Sequence, residues 1–328
     1  MGHIVRCLAL ADELRATWGC RVTFATREGT LGAAVARAHA FPVFSVAYSD
    51  REGEQVNCLL EGLSMADARL LVVDVRDNLS RGALEALRTR DICVVVLDDS
   101  SPRRLAANLA FYPPVPQARR LEWADSRTEV LIGWEWVILR RQFARGASGS
   151  FAQRAGVLIT MGGSDPAGMT LLAVAALDRL ETDVEVTIVV GPGFVHQQAL
   201  EQRLATARRR YRVCRDVADM ADLMAQSELA VAAFGMTAYE LAAVGTPAVL
   251  LSLTPDHAES ASAFVESGMA ESLGLYHQVT PDMLATALAE LLRDKQRRIR
   301  MHWHALQRMD GKGSARVAQK ITAAAYGA

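Results

Sequence analysis

The chain has 328 residues, which is more than one hydrophobic core usually supports, so two domains are expected. Hydrophobic residues make up 51% of the chain and charged residues 22%, a balance that is typical of a globular protein and excludes a disordered one. The formal net charge of −1 argues against nucleic acid as a partner and against attraction to an anionic membrane.

The first helical pattern begins almost at the start of the chain, in the segment ALADEL, and the preceding MGH is interpreted as the end of a strand-to-helix loop. A strand should precede such a loop in a doubly wound domain. Either this first N-terminal strand is missing from the chain, or the domain is built without it. Further strands are predicted at 21–26, 41–46, 69–75, 91–99 and, after a proline-rich loop, 128–133.

The stretch GASGS at 146–150 is the best candidate for a linker between domains. After it the alternation of strands and helices restarts, and five more strands are predicted, at 156–162, 184–191, 211–214, 227–234 and 247–253. Apolar strands separated by helices predict parallel sheets that are covered on both faces. The predicted fold is therefore α/β, with a Rossmann-like domain at 1–147, a second one at 148–328, and a central cleft between them.

The five cysteines are scattered and show no CxxC spacing, so neither a disulfide framework nor a zinc site is predicted, and a cytoplasmic location is expected. No apolar run approaches the ~20 residues needed to span a membrane. The basic stretch at 293–308 is interpreted as a solvated helix face. The sequence does not indicate an oligomeric state.

Two junctions between a strand and a helix are candidate ligand sites. In MGGSDPAGMT, Gly162 and Gly163 permit a tight turn, and the helix that follows either offers its amides to a phosphate or is capped by Ser164 or Asp165. In FGMTAYELAAVGTP, Thr237 and Glu240 have the spacing of a capping box. The alternative is that the amides of 235–237 hold a diphosphate while Glu240 binds a ribose.

Gly2, His3 and Arg6 form a third candidate. A histidine at this place can accept a proton near neutral pH, although on position alone a surface histidine is the simpler interpretation. Arg6 could pair with a phosphate or lie in solvent. Asp74 and the Asp98–Asp99 pair end predicted strands, and could orient His3, bind sugar hydroxyls or cap turns.

Five segments, taken in chain order, resemble one family of nucleotide-sugar enzymes. They are GHIVRCLALADEL, LRRQF, GGSDP, GMTAYELAAVGTP and DGKGSARVA, and they cover nearly the whole chain. They resemble the PseG-type hydrolases, which cleave UDP-2,4-diacetamido-2,4,6-trideoxy-β-L-altropyranose in the pseudaminic acid pathway. The related spore-coat polysaccharide proteins of the SpsG type share the resemblance.

The resemblance implies a GT-B-like fold, similar to that of the glycosyltransferase MurG, and an inverting hydrolysis that releases UDP with no metal or cofactor. The family's catalytic base is the histidine of a G-x-G-H-x-x-R motif, and this histidine corresponds to His3. The family often has Asn-Gln where this chain has His257 and Ala258. It also has a tyrosine in the segment that here reads GWEWVILRRQF.

These arguments predict His3 as the catalytic base of a hydrolase for a UDP-linked deoxyamino sugar. The alternatives are a glycosyltransferase that uses a UDP-sugar donor and an inactive protein that binds a nucleotide sugar. The predicted substrate-binding residues, drawn from the three candidate regions and from the family resemblance, are Gly2, Arg6, Asp74, Asp98, Gly162, Gly163, Ser164, Asp165, Gly235, Met236, Thr237, Glu240 and His257.

Overall fold

The computed structural model describes residues 2–47, 49–124, 126–145 and 150–327. The chain divides into two compact units. Unit 1 consists of residues 1–141 together with 312–328, and unit 2 consists of residues 142–311. Most of the predicted linker, 146–149, lies outside the described residues. The structure draws the division between Arg141 and Gln142, slightly before the predicted boundary, and it places the end of the chain in unit 1.

Strands alternate with helices along both units, as the sequence pattern predicts. The strands of unit 1 are β1 (Phe24–Thr26), β2 (Val43–Ser45), β3 (Leu70–Val73), β4 (Cys93–Leu97), β5 (Leu109–Tyr112) and β6 (Glu129–Ile132). Those of unit 2 are β7 (Val157–Thr160), β8 (Val186–Val189), β9 (Tyr211–Cys214), β10 (Leu229–Ala233), β11 (Ala248–Ser252) and β12 (Ala270–Leu275).

Most of the helices connect successive strands. They are α1 (Gly2–Trp18), α2 (Leu31–Ala38), α3 (Glu52–Ala66), α4 (Arg81–Arg88), α5 (Pro116–Arg119), α6 (Met169–Leu177), α7 (Gln197–Ala205), α8 (Met220–Gln226), α9 (Met236–Ala243), α10 (Pro255–Glu266), α11 (Pro281–Arg293), α12 (Lys295–Arg308) and α13 (Gly313–Tyr326). Within the described residues, no helix is both long enough and apolar enough to cross a bilayer.

Every strand pair in the described structure is parallel, which confirms the predicted α/β class. Unit 2 has a six-stranded sheet in the order β12-β11-β10-β7-β8-β9. Unit 1 has a four-stranded sheet, β3-β4-β5-β6, and a separate pair, β1-β2. In both units the carboxyl ends of neighbouring strands lie at one edge of the sheet, and loops that follow those ends are where ligands bind in such folds.

Helix α13 belongs to the core of unit 1. Its residues Val317, Ala318 and Ile321 are fully buried in one cluster with Leu10 of α1 and Val95 of β4. Ser314 at the start of α13 donates to the carbonyl of Leu139 at 2.5 Å and accepts from the amide of the same residue at 3.1 Å. The last helix therefore completes the core that the first residues of the chain begin.

Three sequence-based expectations are wrong in detail. Gly2 and His3 lie inside α1 and not in a loop before it. The segment interpreted as a proline-rich loop contains β5, whose four residues are all buried. The strand β12, which contains a glutamate and a glycine, was not predicted. Prolines follow β5 directly, but the segment itself pairs with β4 and β6, and β12 pairs with β11 at the edge of its sheet in spite of its low strand propensity.

Candidate active site in unit 1 and glycine loops in unit 2

The first group of candidate residues lies where the start of α1 meets the residues that follow β3 and β4. His3 and Arg6 are three residues apart in α1 and so project from the same side of the helix. Asp74 directly follows β3 and Asp98 directly follows β4, and these two strands are neighbours in the sheet. The structure thus brings together four of the predicted site residues.

Asp74 is the centre of this group. Its Oδ1 lies 2.5 Å from Nδ1 of His3 and accepts from Nη2 of Arg6 at 2.6 Å, while its Oδ2 accepts from Nε of Arg6 at 2.9 Å. The Cys7 thiol also donates to Oδ2, at 3.4 Å. The Asp74 side chain is only 2% exposed, whereas that of His3 is 44% exposed. A buried carboxylate therefore holds a half-exposed imidazole.

The contact with Asp74 fixes the tautomer of His3. A carboxylate only accepts hydrogen bonds, so the proton of the neutral imidazole must be on Nδ1. The other ring nitrogen, Nε2, then carries the lone pair and is the atom that can accept a proton. The arrangement is suited to general base catalysis, because one group orients the base and leaves its basic nitrogen for the substrate.

Asp74 is ionised in this setting. Burial alone would raise its pKa, but the hydrogen bonds from His3 and Arg6 and the Arg6 charge outweigh burial and lower the pKa to about 2. Burial would lower the pKa of Arg6, but hydrogen bonding to Asp74 and the charges of the nearby carboxylates outweigh it and raise that pKa. The Arg6 guanidinium, for which a phosphate was one predicted partner, thus has carboxylates as its partners.

The two aspartates after β4 have different partners. Asp99 is buried, where it accepts from the guanidinium of Arg103 and from the amide of Ser101 at 2.8 Å. Arg103 also donates to the carbonyl of Val75 at 2.6 Å, so this pair ties the loops after β3 and β4 together. Asp98 is 31% exposed, and Nη1 of Arg6 lies 3.4 Å from its Oδ2.

The second group of candidates lies in unit 2, in the loops that follow β7, β10 and β11. These three strands are neighbours in the sheet, with β10 in the middle. Gly162, Gly163 and Ser164 follow β7, whereas His257 lies in the first turn of α10 after β11. The residues predicted from three separate segments therefore line one edge of a single sheet.

The loop after β7 is held by a second glycine loop after β8. The Gly193 amide donates to the carbonyl of Gly163 at 2.8 Å. A Cβ on Gly191 would lie 2.5 Å from that carbonyl oxygen and 2.7 Å from the carbonyl oxygen of Gly162. Gly162 itself has φ +76°, a conformation that favours glycine. The loops after β7 and β8 thus lie so close together that Gly191 leaves no room for a side chain.

Asp165 caps the helix that follows this loop. Its carboxylate accepts from the amides of Met169 at 2.8 Å and Thr170 at 2.9 Å, and the residue is 3% exposed. These are the first amides of α6, so the capping interpretation of this junction is confirmed for Asp165. A phosphate here would have to bind to the loop before Asp165 and not to the start of α6.

The junction before α9 has no such cap. The helix begins at Met236, and its N-cap residue is Gly235, which has no side chain with which to cap it. The predicted capping box is therefore wrong, because Thr237 lies within the first turn instead of at the N-cap. Gly235 has φ +156° and ψ −154°, a conformation that is essentially restricted to glycine. The start of α9 presents backbone amides and the positive end of the helix dipole.

Two further predicted residues lie near this helix start. Glu240 is buried in α9 at 8% exposed. His257 is half-buried in the first turn of α10, and its ring centroid lies 5.8 Å from that of Phe234, the residue before Gly235. The predicted contacts of Glu240 with a ribose and of His257 with a substrate remain predictions.

Among the described residues, no cluster of three or more His, Cys, Asp and Glu side chains is arranged to hold a metal ion.

Comparison with known protein families identifies the family of this chain. Residues 157–320, half of the chain, match the family described as the glycosyltransferase family 28 C-terminal domain. The chain belongs to this family. The matched residues run from the start of β7 into α13 and contain the whole glycine-rich edge of unit 2.

A relative of this family 28 chain resembles it over almost its full length. The spore coat polysaccharide biosynthesis protein SpsG of Bacillus subtilis is 25% identical over 323 residues, which cover 97% of this chain and 92% of the relative. The resemblance to SpsG-type proteins predicted from sequence motifs is thus supported along the whole chain.

Two solved structures share the fold of the family 28 chain. MurG of Acinetobacter baumannii has a TM-score of 0.72 at 17% identity, and the match covers 98% of this chain and 96% of MurG. The S. aureus MnaA–UDP co-structure has a TM-score of 0.66 at 13% identity, over 98% of this chain and 94% of MnaA. The predicted MurG-like GT-B fold is confirmed.

Sequence reasoning missed several residues that build these sites. Cys7 lies one residue after Arg6, but nothing in its pattern indicates a contact with Asp74. Arg103 gave no signal either, since its partners are carbonyls and carboxylates of separate loops. The Gly191-Pro192-Gly193 turn, which begins at the last residue of a predicted strand, was the one signal that could have identified the second glycine loop.

Proposed function

We propose that this family 28 protein hydrolyses a UDP-sugar and that His3 is its catalytic base. The observation that carries the proposal is the His3–Asp74–Arg6 arrangement, in which an ionised, buried carboxylate orients a half-exposed imidazole. A surface histidine with only a structural role would have no need of such a partner. The SpsG relative supports a role in polysaccharide biosynthesis, and the sequence resemblance to PseG-type enzymes supplies the specific substrate, UDP-2,4-diacetamido-2,4,6-trideoxy-β-L-altropyranose.

In the proposed step, Nε2 of His3 takes a proton from water while the water oxygen attacks the anomeric carbon. The bond between that carbon and the β-phosphate oxygen breaks, and UDP leaves with the electron pair. The sugar keeps the new hydroxyl with inverted configuration, and His3 later releases its proton to solvent. Asp74 stabilises the imidazolium that forms, and Arg6 keeps Asp74 in place.

The nucleotide is proposed to bind at unit 2. The N-cap residue of α9 is a glycine, and helix-start amides stabilise the charge that develops on a departing diphosphate. The fold shared with MnaA, which was solved with UDP, supports a uridine nucleotide as the ligand. Glu240 is proposed to bind the ribose. The loop of Gly162 to Ser164 is proposed to approach the phosphates.

The test is the rate of UDP release by purified His3→Ala. Removal of a general base is expected to lower kcat by about 10²–10⁴-fold. The Kd for UDP should stay within twofold of wild type, because the nucleotide is held by unit 2. His39→Ala is the matched control, since His39 is another exposed histidine of unit 1 and should leave kcat unchanged. A His3→Ala enzyme with the kcat of wild type would refute His3 as the base.

Turnover in ¹⁸O-labelled water separates the possible reactions. Hydrolysis at the anomeric carbon places the label on the sugar hydroxyl and none on UDP. Label on UDP would mean attack at phosphorus, and the proposed step would be wrong. UDP binding without turnover of any UDP-sugar would mean that the protein is an inactive nucleotide-sugar binder.

Glycosyl transfer is the second candidate, because the matching family is a family of glycosyltransferase domains. The same donor site would then serve a sugar hydroxyl in place of water. Product analysis with and without a panel of sugar acceptors separates the two reactions. UDP release that needs an acceptor, with the sugar found on that acceptor, would favour transfer.

A further inference from the structure

Three aspartates follow the neighbouring strands β3 and β4 in unit 1, and their partners differ. Asp74 is bound by His3, Arg6 and Cys7. Asp99 is bound by Arg103 and by the amide of Ser101. Both carboxylates are almost fully buried, with side chains 2% and 6% exposed. Their oxygens accept hydrogen bonds from other residues of unit 1, so they have little remaining capacity to accept a hydrogen bond from a ligand.

Asp98 differs from both of them. Its side chain is 31% exposed, and its hydrogen-bond contact with Nη1 of Arg6 is long, at 3.4 Å. The Arg6 guanidinium makes its shorter bonds, at 2.6 and 2.9 Å, to Asp74. The carboxylate of Asp98 thus has acceptor capacity left beside the imidazole that is proposed to activate water.

The backbone holds this carboxylate in a defined place. Asp98 has φ +52°, a left-handed conformation that costs free energy for a residue other than glycine. The Asp98 amide still donates to the carbonyl of Phe111 at 2.9 Å, so the strained residue is held firmly against β5. Aspartate and asparagine tolerate this conformation better than most residues, and so a variant with asparagine preserves it.

The charges around Asp98 favour a hydrogen-bond donor as its ligand. Burial raises the pKa of Asp98, while the charges of Arg6 and Arg76 oppose that rise and Asp74 adds to it. A partly desolvated carboxylate with a long contact gains from a short bond to a donor. An ionised carboxylate offers only acceptor oxygens, so Asp98 cannot hydrogen-bond to an ionised phosphate or carboxylate of a ligand. The ligand group that fits is a hydroxyl or an amide N–H.

We infer that Asp98 is a specificity-determining residue that accepts a hydrogen bond from a hydroxyl or acetamido N–H of the substrate's sugar ring. The inference rests on the proposed function, since it takes the sugar to lie beside His3. It adds the substrate class: a sugar with a donor group near the anomeric carbon and without an acidic group at that position.

The test compares binding of UDP with binding of two UDP-sugars, UDP-N-acetylglucosamine and UDP-2,4-diacetamido-2,4,6-trideoxy-β-L-altropyranose, by calorimetry. In Asp98→Asn the Kd for UDP should stay within twofold of wild type. The Kd for at least one of the two UDP-sugars should rise by about tenfold or more, as expected for loss of a hydrogen bond to a charged group. Equal changes for all three ligands, or no change for any, would overturn the inference. So would a wild type that binds both sugars no more tightly than UDP.

Asp67→Asn is the matched control. Asp67 also has a left-handed backbone, with φ +50°, but its side chain is 87% exposed on another surface of unit 1. This variant should leave all three Kd values unchanged. An equal effect of both variants would show that charge alone, and not contact, causes the change.

Turnover separates this inference from the proposed function. If the wild type turns over no UDP-sugar while Asp98→Asn still weakens sugar binding selectively, the hydrolysis proposal fails and Asp98 remains a sugar contact. If the wild type hydrolyses a UDP-sugar and Asp98→Asn keeps the same kcat/KM, the hydrolysis proposal remains and the role of Asp98 is refuted.

Discussion

The ionisation of Asp74 links the proposed catalytic site to the stability of unit 1. This carboxylate has a pKa of about 2 in the folded chain, below its ordinary value near 3.8. A group whose pKa is lowered by folding stabilises the fold at pH values above its ordinary pKa. That stabilisation is lost as the pH falls from about 4 through about 2. Protonation of Asp74 in acid should therefore weaken the orientation of His3 and destabilise unit 1.

Replacement of Asp74 tests this link. The shift corresponds to about 2 kcal/mol of unfolding free energy that the Asp74→Asn variant lacks. The free energy of unfolding should therefore fall less steeply between pH 4 and pH 2 in this variant than in wild type. Urea denaturation at several pH values measures it, with Asp67→Asn as the control. Parallel pH profiles for wild type and Asp74→Asn would contradict the assigned pKa.

Residues that are adjacent or similar in sequence have different roles in this protein. Asp98 and Asp99 are neighbours, and no sequence pattern distinguishes them. Asp99 points to Arg103, while Asp98 stays partly exposed beside Arg6. Asp98 has a left-handed backbone directly after the end of β4, so strand alternation does not predict where either side chain points, and only the packing around each decides which carboxylate is available.

At the scale of the element, the two strand–helix junctions of unit 2 look alike in sequence and differ in structure. Both have glycine after a buried strand and an oxygen-bearing side chain nearby. The Asp165 carboxylate accepts hydrogen bonds from the first amides of α6, whereas the N-cap residue of α9 is Gly235, which has no side chain. The difference determines which helix start has amides available for an anion.

The glycine loops give a testable prediction about this edge. In Gly191→Ala the new Cβ would lie 2.5 to 2.7 Å from backbone atoms of Gly162 and Gly163, which cannot yield as a flexible side chain could. We expect a loss of about 1–3 kcal/mol in unfolding free energy and weaker UDP binding, because the loop after β7 must move. Thermal unfolding and calorimetry with UDP measure the two effects.

Gly53→Ala is the control for this prediction. Gly53 lies in α3, where no atom comes within 4 Å of the position that a Cβ would take. Alanine should stabilise this helix by about 0.5–1 kcal/mol and leave UDP binding unchanged. A Gly191→Ala protein that behaves like Gly53→Ala would show that the two loops have more space than the structure indicates.

At the scale of the whole molecule, unit 1 is discontinuous in sequence. The chain forms most of unit 1, continues through unit 2 and returns with α13. The cluster that α13 completes includes Leu10, Leu14, Val95 and Ile138. Unit 1 can therefore complete its core only after the whole chain is present.

Truncation of one buried side chain in α13 tests this dependence. Ile321 is fully buried, so Ile321→Ala should lower the unfolding free energy by about 2–5 kcal/mol. Gln319→Ala on the exposed side of the same helix is the control, and it should change stability by less than about 0.5 kcal/mol. The measurement is urea denaturation of the full chain. Equal stability of both variants would mean that α13 does not contribute to the core as described.

The parallel α/β class and most strand positions could be predicted from sequence, because buried strands of a parallel sheet leave continuous apolar runs between helices. The strands β5 and β12 could not. The prolines after β5 indicate a loop and obscure a segment whose Phe and Tyr favour a strand. In β12, which contains glutamate, serine and glycine, pairing with β11 overrides the low local propensity.

The sequence by itself determined which residues follow strands, and hence which side chains can reach the ligand-binding edge of each sheet. Only the tertiary structure decided that His3 meets Asp74, a residue 71 positions away, and that Arg6 binds carboxylates. It also decided that Asp165 caps a helix whereas Asp98 keeps a partly exposed carboxylate. The physical reason is that a polar group forms a hydrogen bond with whichever partner the packing brings within about 3 Å. That distance cannot be inferred from the separation of two residues in the sequence.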